Sequence, residues 1–353
     1  MSISKAKFGV NKDGAEVTEY TMENANGMKV SFLDLGGVIT KIIVPDREGN
    51  FDDVVLGYDD VSRYEVNKPG FGAPIGRYAN RISNGKVVIS GKEYQMDQND
   101  GTNCLHGGFL RYNYLMYDAE CECNEGSDTI SFSRLSPDGE QGLPGNATIT
   151  ITYTLNDENE LMISYYAVSD ADTIMNLTNH SYFNLGDGGH KCKDVLEQEV
   201  WIDADAYTPV DEILIPTGEI RPVDGTALDF RKAKKLKIGL GEAAADESTV
   251  LGYDHNFVLK NTEPGNVRRC AYMKASNGRV MEVFTDQPGV QLYTARELDE
   301  AGGKDGMYYG SFGAACFETQ NFPNAINTQG FPDSILKAGE EYETMTVYRF
   351  SVE

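Results

Sequence analysis

From Ala147 to Leu155 the chain alternates without a break. Ala147, Ile149, Ile151, Tyr153 and Leu155 share one side, and Thr148, Thr150, Thr152 and Thr154 share the other. A period of two rich in β-branched residues predicts a half-buried strand with its apolar side inward. Leu161 to Val168 is predicted as its antiparallel neighbour across the turn Asn156-Asp157-Glu158-Asn159. Nearer the N-terminus, apolar runs at Val30 to Leu35, Val38 to Val44 and Asp53 to Leu56 are closed by Gly36-Gly37, Pro45-Asp46 and Gly57, the punctuation of a meander. Val87 to Met96 folds about Ser90-Gly91-Lys92 as a hairpin, and the strand rhythm continues to Thr346-Val347-Tyr348-Arg349-Phe350.

Helical signals are short: Asp59 to Glu65, and Arg231 to Leu240 with its Lys run, bounded by Gly241. Neither sustains an i, i+3, i+4 stripe, so a doubly wound α/β sheet is not supported. No internal repeat, low-complexity tract or Pro/Ser-rich linker divides the chain. The expectation is therefore all-β: a large single-domain antiparallel β-sandwich over residues 1–353 with few short helices.

Composition sharpens this in three ways. Gly at 37 residues fits many turns between short strands, and 40% hydrophobic content supplies a sizeable core. A net charge of -24 repels phosphate backbones and anionic lipid, so neither nucleic acid nor membrane is expected as a partner. No apolar run approaches the ~18 residues of a membrane span, and the first residues lack an apolar signal core; the expected compartment is cytoplasmic. The six cysteines, Cys104, Cys121, Cys123, Cys192, Cys270 and Cys316, are accordingly expected to be reduced.

Candidate chemistry centres on Asn176-Leu177-Thr178-Asn179-His180-Ser181-Tyr182-Phe183-Asn184-Leu185, where amides, a hydroxyl and aromatic rings surround an imidazole. Four other segments are similarly rich in groups suited to a polyol. Gly76 to Ile82 presents Asn80 and Arg81 side by side; in a strand they would face opposite ways, so both reach one ligand only if the backbone bends there. Asn99 to Gly108 ends on His106 before two glycines that permit close approach of backbone to ligand. Tyr253 to Phe257 contributes Asp254, and Phe317 to Pro323 contributes Glu318 at the end of an apolar strand from Ala314 to Phe317. Two histidines, two carboxylates, an Arg and an Asn make a usable acid/base pocket for a neutral sugar. The chain has no Gly-x-Ser-x-Gly elbow, His-Glu-x-x-His helix, P-loop or dinucleotide fingerprint, and no pair among His106, His180, His190 and His255 has helical ligand spacing. No metal is expected.

These segments together carry a family resemblance. Gly-Arg-x-Ala-Asn-Arg-Ile ending at Ile82, Asn-x-Gly-x-Asn-x-Leu-His-Gly-Gly ending at Gly108 and Asn-x-Thr-Asn-His-x-Tyr-Phe-Asn-Leu around His180 resemble the motifs of the aldose 1-epimerases, or galactose mutarotases. So do Thr208 to Asp211 through Asp229 to Arg231, Tyr253 to Phe257, Pro288 to Thr294 and the Glu318 block. The resemblance implies a mutarotase-type supersandwich binding a hexopyranose in an open cleft without a cofactor. It implies Glu318 as general base, His180 as general acid, and Asn80, Arg81, His106, Tyr182, Asp254 and Gln291 as sugar contacts. Glu318 and Asp254 are expected to favour a charged His180 imidazolium. The substrate is expected to be a free monosaccharide and the protein a monomer or weak homodimer. Departures fall at Ala295 to Leu298, Gly302 to Lys304, Ser311 to Ala314 and Asn324, on the expected rim, and leave the acid/base pair intact. A hexose-phosphate epimerase would want extra Arg or Lys along the cleft, and a non-catalytic sugar binder would not need both His180 and Glu318.

Overall fold

The computed structural model describes residues 2–186, 194–241 and 250–353, so His190 and Cys192 lie outside the described residues. The alternating stretch forms the strand Ala147–Asn156, paired antiparallel with Glu160–Ser169 on one side and Ser127–Ser136 on the other. Its five inward residues are all buried. The outward threonines join a hydroxyl ladder, with Thr129–Thr154 at 3.0 Å and Ser131–Thr152 and Ser133–Thr150 both at 2.9 Å. Cross-strand pairs of this kind add roughly 0.2–1 kcal/mol each.

These strands sit in a nine-stranded antiparallel sheet that continues through the long strand Glu341–Val352 to Arg279–Thr285, Arg268–Lys274 and Glu199–Ile202. The predicted meander is a five-stranded sheet running Ser2–Val10, Glu16–Glu23, Lys29–Leu33, Ile39–Pro45 and Phe51–Asp53 in order. A second five-stranded sheet carries Ala204–Thr208, Asp254–Leu259, Gly289–Tyr293 and Cys316–Gln320. Phe32 and Ile42 of the meander, Phe132, Tyr153 and Tyr348 of the large sheet, and Phe257, Val290 and Phe317 of the third belong to one buried cluster. The all-β, β-sandwich expectation holds.

The short helix forms as predicted, as the single turn Val61–Tyr64; the Asp60 side chain caps it by accepting from Ser62 N–H at 2.7 Å. The second predicted helix does not form. Within Arg231 to Leu240 the backbone is extended at Lys234–Lys235 and pairs with Glu199 and Val200, while Leu236 N–H donates to Gln198 O at 3.0 Å. A polar Lys run with no apolar stripe has nothing to bury as a helix, but it can edge a sheet with its charges outward. Among the described residues no helix is long and apolar enough to cross a membrane. Cys104, Cys121, Cys123, Cys270 and Cys316 are free thiols.

Two features set the floor of the cleft. Gly72 has φ +64, and a Cβ there would lie 1.9 Å from Ile39 O, so only glycine lets this backbone press against the meander. Its carbonyl accepts from Ile39 N–H at 2.9 Å and from Asn179 Nδ2 at 3.2 Å. This seats Ala73–Ile75, which pairs with Thr178–His180 so that His180 lies opposite Ala73. On the other side, Lys304 is buried with Nζ donating to Asp53 Oδ2 and Val55 O, both at 2.7 Å, pinning the divergent segment 295–314 to the meander.

Candidate active site

The strand Cys316–Gln320 is buried along its whole length. Phe317 packs into the main core, which sends Cys316 and Glu318 to the opposite face. Glu318 therefore stands mid-strand and 2% exposed, paired in register with Gln291, and the expectation of an apolar strand ending at Phe317 is corrected. Pairing with Gly289–Tyr293, a partner distant in sequence, extends the strand past the point where its apolar run stops.

His180 reaches Glu318 from the neighbouring strand end. Its Nε2 lies 3.5 Å from Glu318 Oε1 and its Nδ1 lies 3.6 Å from Cys316 Sγ. The Tyr182 ring stacks on the imidazole at 5.0 Å and 27°, and the Tyr182 hydroxyl donates to Pro69 O at 2.9 Å. Tyr182 thus offers a ring face to the cleft while its hydroxyl is spent on the backbone.

The bend that Asn80 and Arg81 require is present, supplied by Asn80 itself at φ +64. Asn80 and His106 clasp one another: His106 N–H donates to Asn80 O, and Asn80 N–H donates to His106 Nδ1, both at 3.1 Å. Nδ1 is therefore an acceptor, and the proton of the neutral ring sits on Nε2. His106 is 8% exposed with φ +54, and burial holds its pKa well below the ordinary value, aided by His180, Arg111 and Arg81. The two glycines after it do not line the cleft. A Cβ on Gly107 would meet Gln141 and Gly76 O at 2.4 Å, and one on Gly108 would meet Asp97 at 2.7 Å, so they serve packing.

Arg81 Nε donates to Asp100 Oδ2 at 2.7 Å and its Nη1 lies 4.0 Å from Asp254 Oδ2. Gln291 Nε2 donates to Asp254 Oδ1 at 2.6 Å, so Gln291 reaches the site through Asp254. Asn80, Arg81, His106, His180, Tyr182, Asp254 and Glu318 line one open cleft of about 310 Å³, with Lys68, Arg111, Leu214, Tyr293 and Glu297 at its borders. A larger groove of about 440 Å³ around Asp286, Tyr342 and Glu343 holds none of these residues. Sequence reading missed Lys68 and Arg111. Their charge is visible in the chain, but their position on the cleft is a product of tertiary packing.

The electrostatics correct one expectation. Burial pushes the His180 pKa down to about 4, with Arg111 adding to the effect, so the imidazole is neutral at pH 7. Burial also holds the Glu318 carboxyl well above the usual range, reinforced by Asp254 and opposed by Arg81. Desolvation outweighs the attraction between the two because each is almost sealed from water. Both shifts favour the uncharged arrangement of the pair, a protonated carboxyl beside a neutral ring, over the ion pair. Glu318 Oε2 and Gln291 Oε1 are buried without a partner among the described residues. Unsatisfied buried acceptors cost about 1–3 kcal/mol each, and hydroxyl donors of a sugar would satisfy them.

His106, His180 and Glu318 each bring a ligand-type atom within 4.8 Å of the others. The donor set is nevertheless wrong for a cation. With Nδ1 of His106 engaged by Asn80 N–H, its other nitrogen is a donor rather than a lone pair. The trio suits hydroxyl groups instead.

Comparison with known proteins agrees with this chemistry. The family described as aldose 1-epimerase matches residues 18–349. Galactose mutarotase of Sus scrofa is 43% identical over 354 residues, covering 100% of this chain and 99% of that protein. The chain belongs to the aldose 1-epimerase family. An aldose epimerase homologue from C. elegans superposes with a TM-score of 0.84 at 33% identity, over 94% of this chain and 98% of its own. Galactose 1-epimerase from Lactobacillus acidophilus gives 0.85 at 29% identity over 99% of both chains. As a member of this family the protein is an isomerase that interconverts the anomers of sugars.

Proposed function

We propose that this enzyme interconverts the α and β anomers of free aldohexoses, galactose and glucose foremost, with Glu318 and His180 moving the protons. The observation that carries the assignment of roles is the pair itself, a buried carboxyl and a buried imidazole 3.5 Å apart. Ring opening takes the proton from the anomeric hydroxyl to Glu318, breaks the bond between C1 and the ring oxygen as the C1 carbonyl forms, and delivers the His180 proton to the ring oxygen. Rotation about C1–C2 presents the other carbonyl face, and closure reverses the transfers. The two oxygens concerned share a single carbon, which suits a base and an acid this close together.

Burial acts on both halves of the opening step. Opening starts from carboxylate and imidazolium and ends with carboxylic acid and neutral imidazole, the arrangement that burial favours. The proton transfer from Glu318 to His180 that readies the pair runs against the same preference, so the two cancel over the opening step and the pair ends as it rested. His106 as an Nε2–H donor, Arg81 as a permanent cation and Asp254 as an acceptor would hold the ring hydroxyls. Every group named belongs to one chain, which supports a protomer that is catalytically self-sufficient.

Optical rotation of freshly dissolved α-D-galactose tests the proposal: folded protein should accelerate the approach to equilibrium at neutral pH, and a rate equal to buffer would remove it. The pH profile of kcat/KM, which reports the free enzyme, should keep its plateau down to about pH 4, where the pair gains a second proton. Its alkaline limb should lie well above the ordinary carboxylate range, as the raised Glu318 carboxyl loses its proton. An acid limb centred near 6.5, the ordinary histidine value, would contradict a buried neutral His180.

Cys316 is a positioning residue in this scheme. The sulfur can accept from Nδ1–H, which the ring keeps both as the imidazolium and after Nε2 has released its proton, so it holds the ring in both states of the acid. Cys316→Val should lower kcat by about tenfold, less than the roughly 10²- to 10⁴-fold of a group that itself moves the proton, and should move the acid limb. Cys316→Ser should recover most of both; an unshifted profile in the Val variant would confine Cys316 to packing.

A further inference from the structure

We propose that the same cleft receives aldohexoses bearing an anionic group on C6, with Lys68 and Arg111 as the receiving pair. This rests on the anomer-interconverting reading above and names a further substrate class for that site.

The cations of the cleft are not equivalent. Arg81 is committed to Asp100 at 2.7 Å and faces Asp254 at 4.0 Å. The acid at the rim, Glu297, is paired with Arg296 at 3.1 Å. Lys68 and Arg111 line the cleft with no carboxylate within 4.0 Å of either among the described residues; the bond that places them is Arg111 Nη1 donating to Lys68 O at 2.7 Å. In a chain of net charge -24, two cations on one cavity without a carboxylate partner among the described residues give an anion a place to bind. An Arg fork next to a Lys ammonium matches a carboxylate or phosphate, since the fork can bond two anionic oxygens at once.

Their place on the cleft fits C6 rather than any other carbon. In a hexopyranose C5 joins the ring oxygen and carries C6, so a ring oxygen at His180 puts C6 on the His180 edge. That edge is bounded by Tyr182, stacked on His180 and bonded through its hydroxyl to Pro69 O, the residue next to Lys68. The charge of Arg111 is felt at His180, His106 and Tyr182 alike, as expected of a guanidinium on this side. Beside Arg81 an anion would instead meet the Asp254 carboxylate.

The test compares kcat/KM for D-galacturonate and D-galactose 6-phosphate, each relative to D-galactose, in the parent enzyme and in the double variant Lys68→Gln/Arg111→Gln. Taking the ratio cancels any effect of Arg111 on the shared proton transfers. The ratio for at least one anion should fall by about tenfold or more in the double variant, and in the parent it should decline with added salt. A fall for galacturonate alone assigns the pair to a carboxylate, a fall for the phosphate alone to a phosphate, and a fall for both to charge at C6 in general. Ratios unchanged by the substitutions would overturn the proposal. Absence of acceleration with galactose itself would instead strike the underlying reading of the site.

Discussion

Replacing Glu318 by Gln slows anomer interconversion by about 10²- to 10⁴-fold, the usual contribution of a general base. The amide has the shape of the carboxyl and keeps an acceptor oxygen, but it cannot take the proton from the anomeric hydroxyl, so kcat should fall with little change in KM. Folding is not expected to confound the result. A carboxyl whose folded pKa is raised stabilises the protein fully only below its unfolded value, near 4.5, and that contribution is lost as pH rises through the folded value. At pH 7 to 8, above the unfolded value, the parent therefore bears the cost of burying a titrating carboxyl that the variant lacks. The variant should melt no lower than the parent, and thermal denaturation at pH 7.5 checks this. Unchanged turnover in a folded variant would remove Glu318 from the mechanism.

His180→Asn is expected to cost a similar factor, about 10²- to 10⁴-fold in kcat. A neutral amide can still donate a hydrogen bond to the ring oxygen, but it cannot release a proton there as C1–O breaks. The two losses should not multiply. Base and acid act on oxygens of the same carbon as one unit, so the double variant should fall little below either single one. Saturation kinetics of the three variants, followed by anomeric proton exchange, measures this. Fully multiplicative losses would mean that the two residues act in separate steps.

The parts of this site that could be read from the sequence are those carried by local pattern. Ala147 to Leu155 shows its strand in its own alternation, and its turn predicts its neighbour. His180, His106, Asp254 and Glu318 could be singled out because each sits in a short segment dense with polar groups. What could not be read depends on residues far away in the chain. Glu318 lies mid-strand because Gly289–Tyr293 pairs alongside it. The charge of His180 was expected to be set by its acidic neighbours, yet burial decides it, and burial exists only once the sheets have closed. Gly107 and Gly108 suggested a ligand, whereas their neighbours are Gln141 and Asp97. Arg231 to Leu240 suggested a helix because Lys favours helices weakly, and an available sheet edge outweighed that preference.

Asn80 is an intermediate case. Its proximity to Arg81 showed that a bend was needed, and Asn is among the side chains that tolerate a positive φ. That the bend also fixes the tautomer of His106, twenty-six residues away, is visible only in the fold.

The account turns on where the anomeric carbon lies, and a crystal structure with bound galactose measures that directly. The prediction is that a Glu318 carboxyl oxygen lies within hydrogen-bonding distance of the anomeric hydroxyl, His180 Nε2 within that distance of the ring oxygen, and Arg81, His106 and Asp254 on the other hydroxyls. A sugar bound with its anomeric carbon beside Arg81 and Asp254, out of reach of Glu318 and His180, would contradict it.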